Sequence, residues 1–372
     1  MHSLKRRANS CTISQTINRA VALIVLAALI VLFPLSCGVN TVSADGRGEC
    51  VMELSTGTVV HSRNALAKMP MASTTKIMTA LLIIEDCDLS EVITVPDEAV
   101  GVEGSSIYLK KDEIISVKDL VYGLMMRSGN DSAAALAIHH SGSVQKFAEC
   151  MNARAAEMGA RDTNFANPSG LPDENHYTTA LDLCLIACNA MKNEQFKKIV
   201  SARNYTGEYR SFVNKNKFLG LVEGANGVKT GYTISAGRCL VSSAEREGMD
   251  VVCAVLDCPD MYERSQKLIE QAFSQYELKK IECNRVFMCD IVPCKIANDD
   301  VLLIRKGEEL KTEIARTNFC DEINVGDEVG QLEIYCQNDL IFKGISMNFR
   351  LTIEISLPFI ILRICQNRSN VQ

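Results

Sequence analysis

Apolar and polar residues alternate in two short runs near residue 50, and the spacing of apolar residues then changes. Residues 50–54 and 58–62 alternate, and Gly57 lies in the interval between them, which predicts a β-hairpin. From Ser73 onward apolar residues recur every three or four positions, which predicts a helix. The same periodicity predicts further helices at residues 117–126, 130–140, 144–158 and 179–191.

Strand patterns return after this helical stretch. Residues 238–243 and 251–256 predict two strands, and residues 262–276 predict a helix. Strands at both ends of a helical middle predict an α+β domain whose sheet is made from strands distant in sequence. Beyond this domain, short β-like runs between polar turn residues predict a small all-β domain over residues 280–349.

The first 44 residues differ from the rest of the chain in charge and hydropathy. They hold four basic residues and no acidic one, although the whole chain of 372 residues carries a net charge of −6. The apolar run at residues 20–33 is followed by the small-residue site Val42, Ser43 and Ala44. This order predicts a signal peptide over residues 1–44, and therefore export. The alternative is a retained membrane anchor, but the apolar run is shorter than the ~20 residues that span a bilayer.

The C-terminal tail and the cysteines each leave two interpretations. The apolar stretch within residues 350–372 is either an interfacial segment that contacts a membrane surface, or a last strand with a frayed end. The 16 cysteines of an exported chain suggest disulfides, but their scatter through apolar stretches favours buried free thiols. The chain contains no Cys-x-x-Cys motif, so no metal site of that kind is predicted. The acidic net charge does not favour a nucleic-acid partner.

Ser73 and Lys76 form a Ser-x-x-Lys motif at the start of a predicted helix. Residues three apart share one face of a helix, so the Lys76 amine can reach the Ser73 hydroxyl. A serine needs a base to become a nucleophile, and lysine can serve when burial or a second cation destabilises its ammonium form. Taken alone, the motif could also be a helix cap beside a surface lysine, as Ser143 and Lys146 illustrate.

Two further motifs follow in the chain. They are Ser128-Gly129-Asn130 and Lys229-Thr230-Gly231, the latter predicted just before a strand. A glycine lets a ligand approach a strand edge closely, and Thr230 and Lys229 offer a donor and a positive charge to a carboxylate. The chain contains neither His-Glu-x-x-His nor Gly-x-Ser-x-Gly, so neither a zinc peptidase nor an α/β-hydrolase is predicted. No cofactor is predicted.

With these motifs in this order, the chain resembles the serine-type D-alanyl-D-alanine carboxypeptidases, which are the low-molecular-mass penicillin-binding proteins of peptidase family S11. Longer strings carry the likeness: GSSIYL at 104–109, LVYGLMMRSGND at 120–131, NPSGLP at 167–172 and GVKTGYT at 227–233. The resemblance covers roughly residues 47–349. It implies a β-lactamase/transpeptidase-like domain over residues 45–279, in which helices flank an antiparallel sheet, followed by the small all-β domain.

The resemblance also implies catalytic roles. Ser73 would attack the peptide carbonyl between two D-alanines, Lys76 would take its proton, and Ser128 would relay a proton to the leaving D-alanine. Asn130 would hold the substrate amide and Lys76, and Lys229 would keep Lys76 deprotonated.

Binding roles and partners follow in the same way. Thr230 would bind the terminal carboxylate beside Gly231, and the backbone N–H groups of Ser73 and Tyr232 would form the oxyanion hole. The implied partners are a peptidoglycan stem peptide ending in D-Ala-D-Ala and β-lactam antibiotics as covalent inhibitors. The implied location is the extracytoplasmic face of a bacterial envelope. Some relatives use an arginine for the carboxylate; Arg264 is the nearest candidate, but it is offset in the sequence.

Two alternatives share these motifs. A β-lactamase of the best-known serine class deacylates with a Glu in a Glu-x-x-Leu-Asn pattern, whereas residues 165–169 read Phe-Ala-Asn-Pro-Ser. A non-catalytic wall-binding module would not need Ser73, Lys76 and Ser128 intact.

Overall fold

The computed structural model describes residues 46–281, 286–289, 292–296, 300–316, 328–336 and 339–349. The strands in these residues are β1 (Gly48–Glu53), β2 (Val59–Arg63), β3 (Val92–Thr94), β4 (Ile114–Ser116), β5 (Asn204–Thr206), β6 (Ser211–Val213), β7 (Ala225–Thr233), β8 (Gly237–Arg246), β9 (Met249–Leu256), β10 (Tyr276–Ile281), β11 (Val286–Cys289), β12 (Val292–Ile296), β13 (Asp300–Arg305), β14 (Leu310–Arg316), β15 (Glu328–Cys336) and β16 (Asp339–Phe349). The α-helices are α1 (Lys76–Asp86), α2 (Val117–Tyr122), α3 (Asn130–Ser141), α4 (Val144–Glu157), α5 (Ala180–Met191), α6 (Glu194–Ser201) and α7 (Met261–Gln275).

A five-stranded antiparallel sheet joins the two ends of the first domain. Its strand order is β2-β1-β9-β8-β7, so β1 pairs with a strand about 200 residues later in the chain. β1 and β9 are buried along their whole lengths. Both faces of these strands are therefore covered, which explains why they are rich in valine and other apolar residues.

Helices cover the sheet on both faces. α5 packs against β1 and β9 on one face, and α1 packs against α5. α7 packs on the opposite face against β1, β8 and β9. This three-layer arrangement buries two apolar clusters, one on each side of the sheet. β7 lies at the edge of the sheet, so its outer side is left open to a ligand.

The later strands form separate sheets. β10 follows α7 directly and pairs with β13, and a second five-stranded sheet has the order β11-β12-β16-β15-β14. The predicted α+β fold, with an antiparallel sheet between helices, is confirmed. The division of the chain at residues 279 and 280 stays a prediction. The proposed signal peptide, residues 1–44, and the tail, residues 350–372, lie outside the described residues.

Most predicted elements are present, with one informative omission. The hairpin is β1 and β2, and Ser143 caps α4 by accepting from the Lys146 N–H, so the second Ser-x-x-Lys is a helix cap. The prediction that a strand follows Lys229-Thr230-Gly231 is confirmed, since β8 begins at Gly237, but the sequence pattern did not indicate that these three residues themselves lie inside β7. The three glycines and one asparagine near them suppress the β signal, but pairing with β8 overrides that propensity.

One of the sequence-based alternatives, free thiols or disulfides, bears on the described residues. The eight cysteines between residues 46 and 280 all carry free thiols, as their apolar surroundings favoured. In the part of the chain that the structure describes, no helix combines the length and the apolar character needed to cross a membrane.

A buried ion pair ties α7 to the sheet. Glu49 of β1 is 0% exposed, and its carboxylate accepts from Arg264 at 2.8 and 2.6 Å and lies 3.0 Å from His61 Nε2. Burial opposes the charge, but the bonds from His61 and Arg264 outweigh it and lower the pKa of Glu49 to about 2. The stability that this pair provides is thus complete above the carboxyl's usual pKa of 4.5 and is lost as the pH falls towards 2.

We expect Glu49→Gln to lower the free energy of unfolding at pH 7 by ~2–3 kcal/mol, because it leaves the Arg264 guanidinium without its counter-charge. The loss should shrink between pH 4.5 and 2, where wild-type Glu49 itself becomes protonated. Urea unfolding at a series of pH values measures both effects. Glu270→Gln is the matched control, because it removes the more exposed partner of Arg246 and should cost less than ~1 kcal/mol. A loss that does not depend on pH would contradict this account.

Candidate active site

Ser73 lies in a single 3-10 turn, Ala72–Thr75, which we call the nucleophile turn. The turn runs directly into α1, whose first residue is Lys76, and Lys76 Nζ lies 3.0 Å from Ser73 Oγ. Ala72, at φ +49, holds a backbone conformation that residues other than glycine seldom adopt. The Ser73 hydroxyl faces the Lys76 amine, so Ser73 is not the helix cap that the motif alone allowed.

Lys76 is enclosed by polar oxygens and closed to solvent. Its side chain is completely buried, and Nζ also donates to Asn130 Oδ1 at 2.7 Å and to the Ser169 carbonyl at 2.5 Å. Burial, and next the Lys229 ammonium, lower the pKa of Lys76 well below its usual 10.5, and Asp131 opposes the shift. A lysine in this state can accept a proton from a hydroxyl 3.0 Å away.

A second serine–lysine pair faces the first. Ser128, at φ +64, ends a π-helical turn (Gly123–Arg127), and its Oγ accepts from Lys229 Nζ at 3.1 Å. Lys229 also donates to the Thr230 carbonyl at 2.8 Å and is 2% exposed. Burial, with help from the nearby Lys215 ammonium, lowers the pKa of Lys229 to about 7.

The edge strand β7 brings Gly231 against the nucleophile turn. A Cβ atom on Gly231 would lie 3.0 Å from the Ser73 backbone nitrogen and 3.1 Å from the Met71 carbonyl oxygen. Only glycine fits there without displacement of the turn. The same close approach brings the next residue, Tyr232, to the edge beside Ser73, and its side chain is 66% exposed.

The first turn of α3 holds one wall of the site. The Asp131 carboxylate accepts from the Ile107 N–H at 3.0 and 3.1 Å and from the Ser106 hydroxyl at 2.6 Å. Asn130 Nδ2 donates to the Glu103 carbonyl at 2.6 Å, which directs its Oδ1 towards Lys76. Asn130 is therefore fixed at both ends of its amide.

The loop of residues 164–172 holds the opposite wall. Asn167 Oδ1 accepts from the backbone N–H groups of Ser169, at 3.1 Å, and Gly170, at 2.8 Å. Gly170 has φ +87, and a Cβ there would lie 1.9 Å from the Ala72 carbonyl oxygen. This loop therefore packs directly on the nucleophile turn and presents the Ser169 carbonyl to Lys76.

A cavity of about 450 Å³ opens in front of Ser73. It is lined by Ser73, Ser105, Ser128, Lys215, Thr230, Gly231, Tyr232, Arg238, Met261 and Tyr262. Two of these residues are cationic and none is acidic, so the cavity suits an anionic group. Buried Lys229 is not part of the lining, and the accessible positive charges are those of Lys215 and Arg238.

Sequence reasoning missed both of these cations. Arg238 lies directly opposite Tyr232 in the pairing of β7 and β8, and its guanidinium has no hydrogen bond or ion pair to any described side chain. A predicted pairing of β7 with β8 would have placed Arg238 beside the cavity, but β7 was not predicted. Arg264, the arginine considered from the sequence, is instead bound to Glu49.

A second cavity, of about 550 Å³, lies on the other side of the nucleophile turn. Pro70, Met71 and Ala72 form one wall, residues 170–174 form another, and Thr233 marks where β7 passes from the first cavity to the second. Ser73 thus lies between a cationic cavity and one whose walls are mainly apolar.

The structure brings the predicted residues together. Ser73, Lys76, Ser128, Asn130 and Lys229 form one connected set of side chains, and Thr230, Gly231 and Tyr232 supply the adjoining strand edge. Such a set can transfer an acyl group through a serine ester. Among the described side chains, no three histidine, cysteine or carboxylate groups are placed to bind a metal ion.

Comparisons with known proteins agree with this chemistry. The family model described as D-alanyl-D-alanine carboxypeptidase, Peptidase S11, matches residues 38–260. D-alanyl-D-alanine carboxypeptidase DacF of Bacillus subtilis is 31% identical over 332 residues, which are 81% of this chain and 84% of that protein. The D-alanyl-D-alanine carboxypeptidase of Streptomyces sp. K15 is 35% identical over 231 residues, 56% of this chain and 79% of that protein.

Solved structures extend the likeness to three dimensions. The structure of penicillin binding protein 5 from Haemophilus influenzae is similar with a TM-score of 0.70 and 27% identity, over 81% of this chain and 95% of that one. The D-alanyl-D-alanine carboxypeptidase DacD from Francisella tularensis has a TM-score of 0.68 and 26% identity, over 82% and 92% of the two chains.

Proposed function

Because the chain belongs to the S11 family of D-alanyl-D-alanine carboxypeptidases, we propose that it removes the terminal D-alanine of peptidoglycan stem peptides through an ester on Ser73. The observation that carries this mechanism is the burial of Lys76 with its Nζ 3.0 Å from Ser73 Oγ. A charged ammonium could not take the serine proton, whereas burial beside Lys229 shifts Lys76 towards the neutral amine, which can.

The first half of the reaction forms the ester. Ser73 Oγ attacks the carbonyl carbon between the two D-alanines as its proton passes to Lys76 Nζ. The N–H groups of Ser73 and Tyr232 stabilise the oxyanion. The C–N bond then breaks, and Lys76 gives up the proton it took from Ser73, which passes through the Ser128 hydroxyl, held in place by Lys229, to the leaving amine. Water next attacks the ester, with Lys76 as the base, and releases Ser73.

The two cavities give the substrate a direction. The terminal carboxylate belongs in the cationic cavity, where Thr230 offers a hydroxyl and Lys215 and Arg238 offer positive charge. The rest of the stem peptide then leaves Ser73 along β7 towards the larger cavity that begins at Thr233. Lys229 acts mainly on Ser128 and Lys76, because it is buried behind the cavity.

The proposal also places the enzyme outside the cytoplasm, as the predicted signal peptide of residues 1–44 requires. Its inhibitors are β-lactams, which carry a strained amide for Ser73 to attack and a carboxylate for the cationic cavity to bind. No carboxylate among the described residues hydrogen-bonds to Ser73 or Lys76, and the loop residue nearest the lysine offers a backbone carbonyl. The carboxylate base with which the best-known serine β-lactamases hydrolyse a penicilloyl ester is therefore missing there.

We expect a penicillin to acylate Ser73 and to remain bound for minutes or longer. Intact-protein mass spectrometry should show one adduct of the drug's mass, and peptide mapping should place it on Ser73. Ser73→Ala should form none, and Lys76→Ala should acylate at least ~100-fold more slowly, because a general base contributes that much or more. Rapid turnover to hydrolysed drug and free enzyme would instead indicate a β-lactamase.

We expect Arg238→Ala to raise KM for a peptide ending in D-Ala-D-Ala by about tenfold, because an ion pair to the substrate carboxylate is lost. Arg238→Lys, which keeps the charge, should recover part of the affinity. Acylation by an ester donor without the carboxylate is the matched control and should be unchanged. An equal loss with both substrates would show that Arg238 supports the structure of the site and does not bind the carboxylate.

A further inference from the structure

His176 is a buried histidine that the proposed mechanism does not use. It is 3% exposed, follows the 164–172 loop, and packs edge-on against Phe165 with ring centroids 6.0 Å apart. Its ring makes two hydrogen bonds, one to each of the two elements that hold Lys76 and Ser73.

The hydrogen bonds determine which ring nitrogen carries the proton. The backbone N–H of Ala166 lies 3.0 Å from Nδ1, and a backbone N–H can only donate, so Nδ1 is the acceptor. A neutral ring must then carry its proton on Nε2, which lies 2.7 Å from Thr75 Oγ1. The Thr75 hydroxyl accepts from Nε2 and donates to the Ala72 carbonyl at 2.7 Å.

A directed chain of hydrogen bonds therefore links the loop to the nucleophile turn. It runs from the Ala166 N–H through His176 and Thr75 to the Ala72 carbonyl. Thr75 is 1% exposed, so water cannot replace its bonds. At one end, the loop carries the Ser169 carbonyl that accepts from Lys76; at the other, Ala72 precedes Ser73 at φ +49.

The ring environment keeps this chain in one protonation state. Burial, with a smaller contribution from the Lys76 side chain, lowers the pKa of His176 to about 4 against the opposing effect of Asp173. A protonated ring would turn an Nδ1–H towards the Ala166 N–H, and two donors would then face each other. The neutral ring is therefore the form that holds the loop and the turn together at neutral pH.

We propose that His176 is a positioning residue, which sets the separation of Ser73 from Lys76 by fixing the nucleophile turn to the 164–172 loop through Thr75. The inference rests on the proposed function, because it assigns His176 a part in acylation of Ser73. His176 lines the second cavity but hydrogen-bonds to neither Ser73 nor Lys76, so its effect should appear in the rate of acylation and depend on Thr75. Misplacement of reacting groups by about 1 Å can slow such a step by about a hundredfold.

The test compares acylation rates by a fluorescent penicillin in three His176 variants at pH 7. His176→Leu removes both hydrogen bonds, His176→Asn can keep only the bond from Ala166, and His176→Gln can keep only the donor to Thr75. We expect Leu and Asn to slow acylation about tenfold or more, and Gln to retain most of the rate. Thermal unfolding of each variant confirms that it is folded.

A double-mutant cycle gives the sharper result. Thr75→Val should slow acylation as much as His176→Leu does, whereas Thr75→Ser should not slow it. The variant that combines Thr75→Val with His176→Leu should be no slower than the slower single variant. If His176→Leu does not fold, the comparison of Thr75→Val with Thr75→Ser still tests the proposal, and a folded Thr75→Val with the wild-type rate would overturn it. Multiplicative effects, or a folded His176→Leu with the wild-type rate, would overturn the proposal. Failure of the wild-type protein to acylate at all would instead contradict the proposed function.

Discussion

The removal of the Lys76 side chain from water is the constraint on which the rest of the site depends. Three oxygens surround its Nζ, from Ser73, Asn130 and Ser169, and each belongs to a different element of the fold. A neutral amine satisfies this cage by donating to Asn130 and Ser169 while it accepts from the Ser73 hydroxyl. Burial beside Lys229 favours that neutral form, since an additional charge in a closed site is costly.

The elements that surround the Lys76 amine adopt unusual backbone conformations. Ala72 and Ser128 both have positive φ, although neither is glycine, and such conformations cost of order 1–3 kcal/mol each. Gly170 and Gly231 let the loop and β7 approach the nucleophile turn more closely than any side chain would permit. The sheet and its covering helices, including the Glu49 ion pair, offset this strain. Ala72 and Ser128 place backbone strain next to the reacting groups, which is consistent with a site organised for reaction rather than for stability.

The sequence predicted the elements better than the contacts between them. Ser73 and Lys76 were predictable as neighbours because a helical turn fixes their spacing. Arg238 was not, because its place beside the cavity follows from the register between β7 and β8, and glycines hide β7 from a propensity pattern. The role of His176 was not predictable either, since its partner Thr75 is about 100 residues earlier in the chain and nothing local indicates that contact.

The protonation state of Lys76 is the claim that unites the mechanism, and it can be measured directly. NMR titration of the enzyme labelled with ε-¹³C-lysine follows each amine separately, and Lys76→Arg identifies the Lys76 signal. We predict that Lys76 titrates well below the usual 10.5 and that Lys229→Met raises its pKa, since a neighbouring positive charge is removed. A Lys76 signal that titrates near 10.5 in the folded enzyme would contradict the account, because the amine next to Ser73 would then be charged at neutral pH.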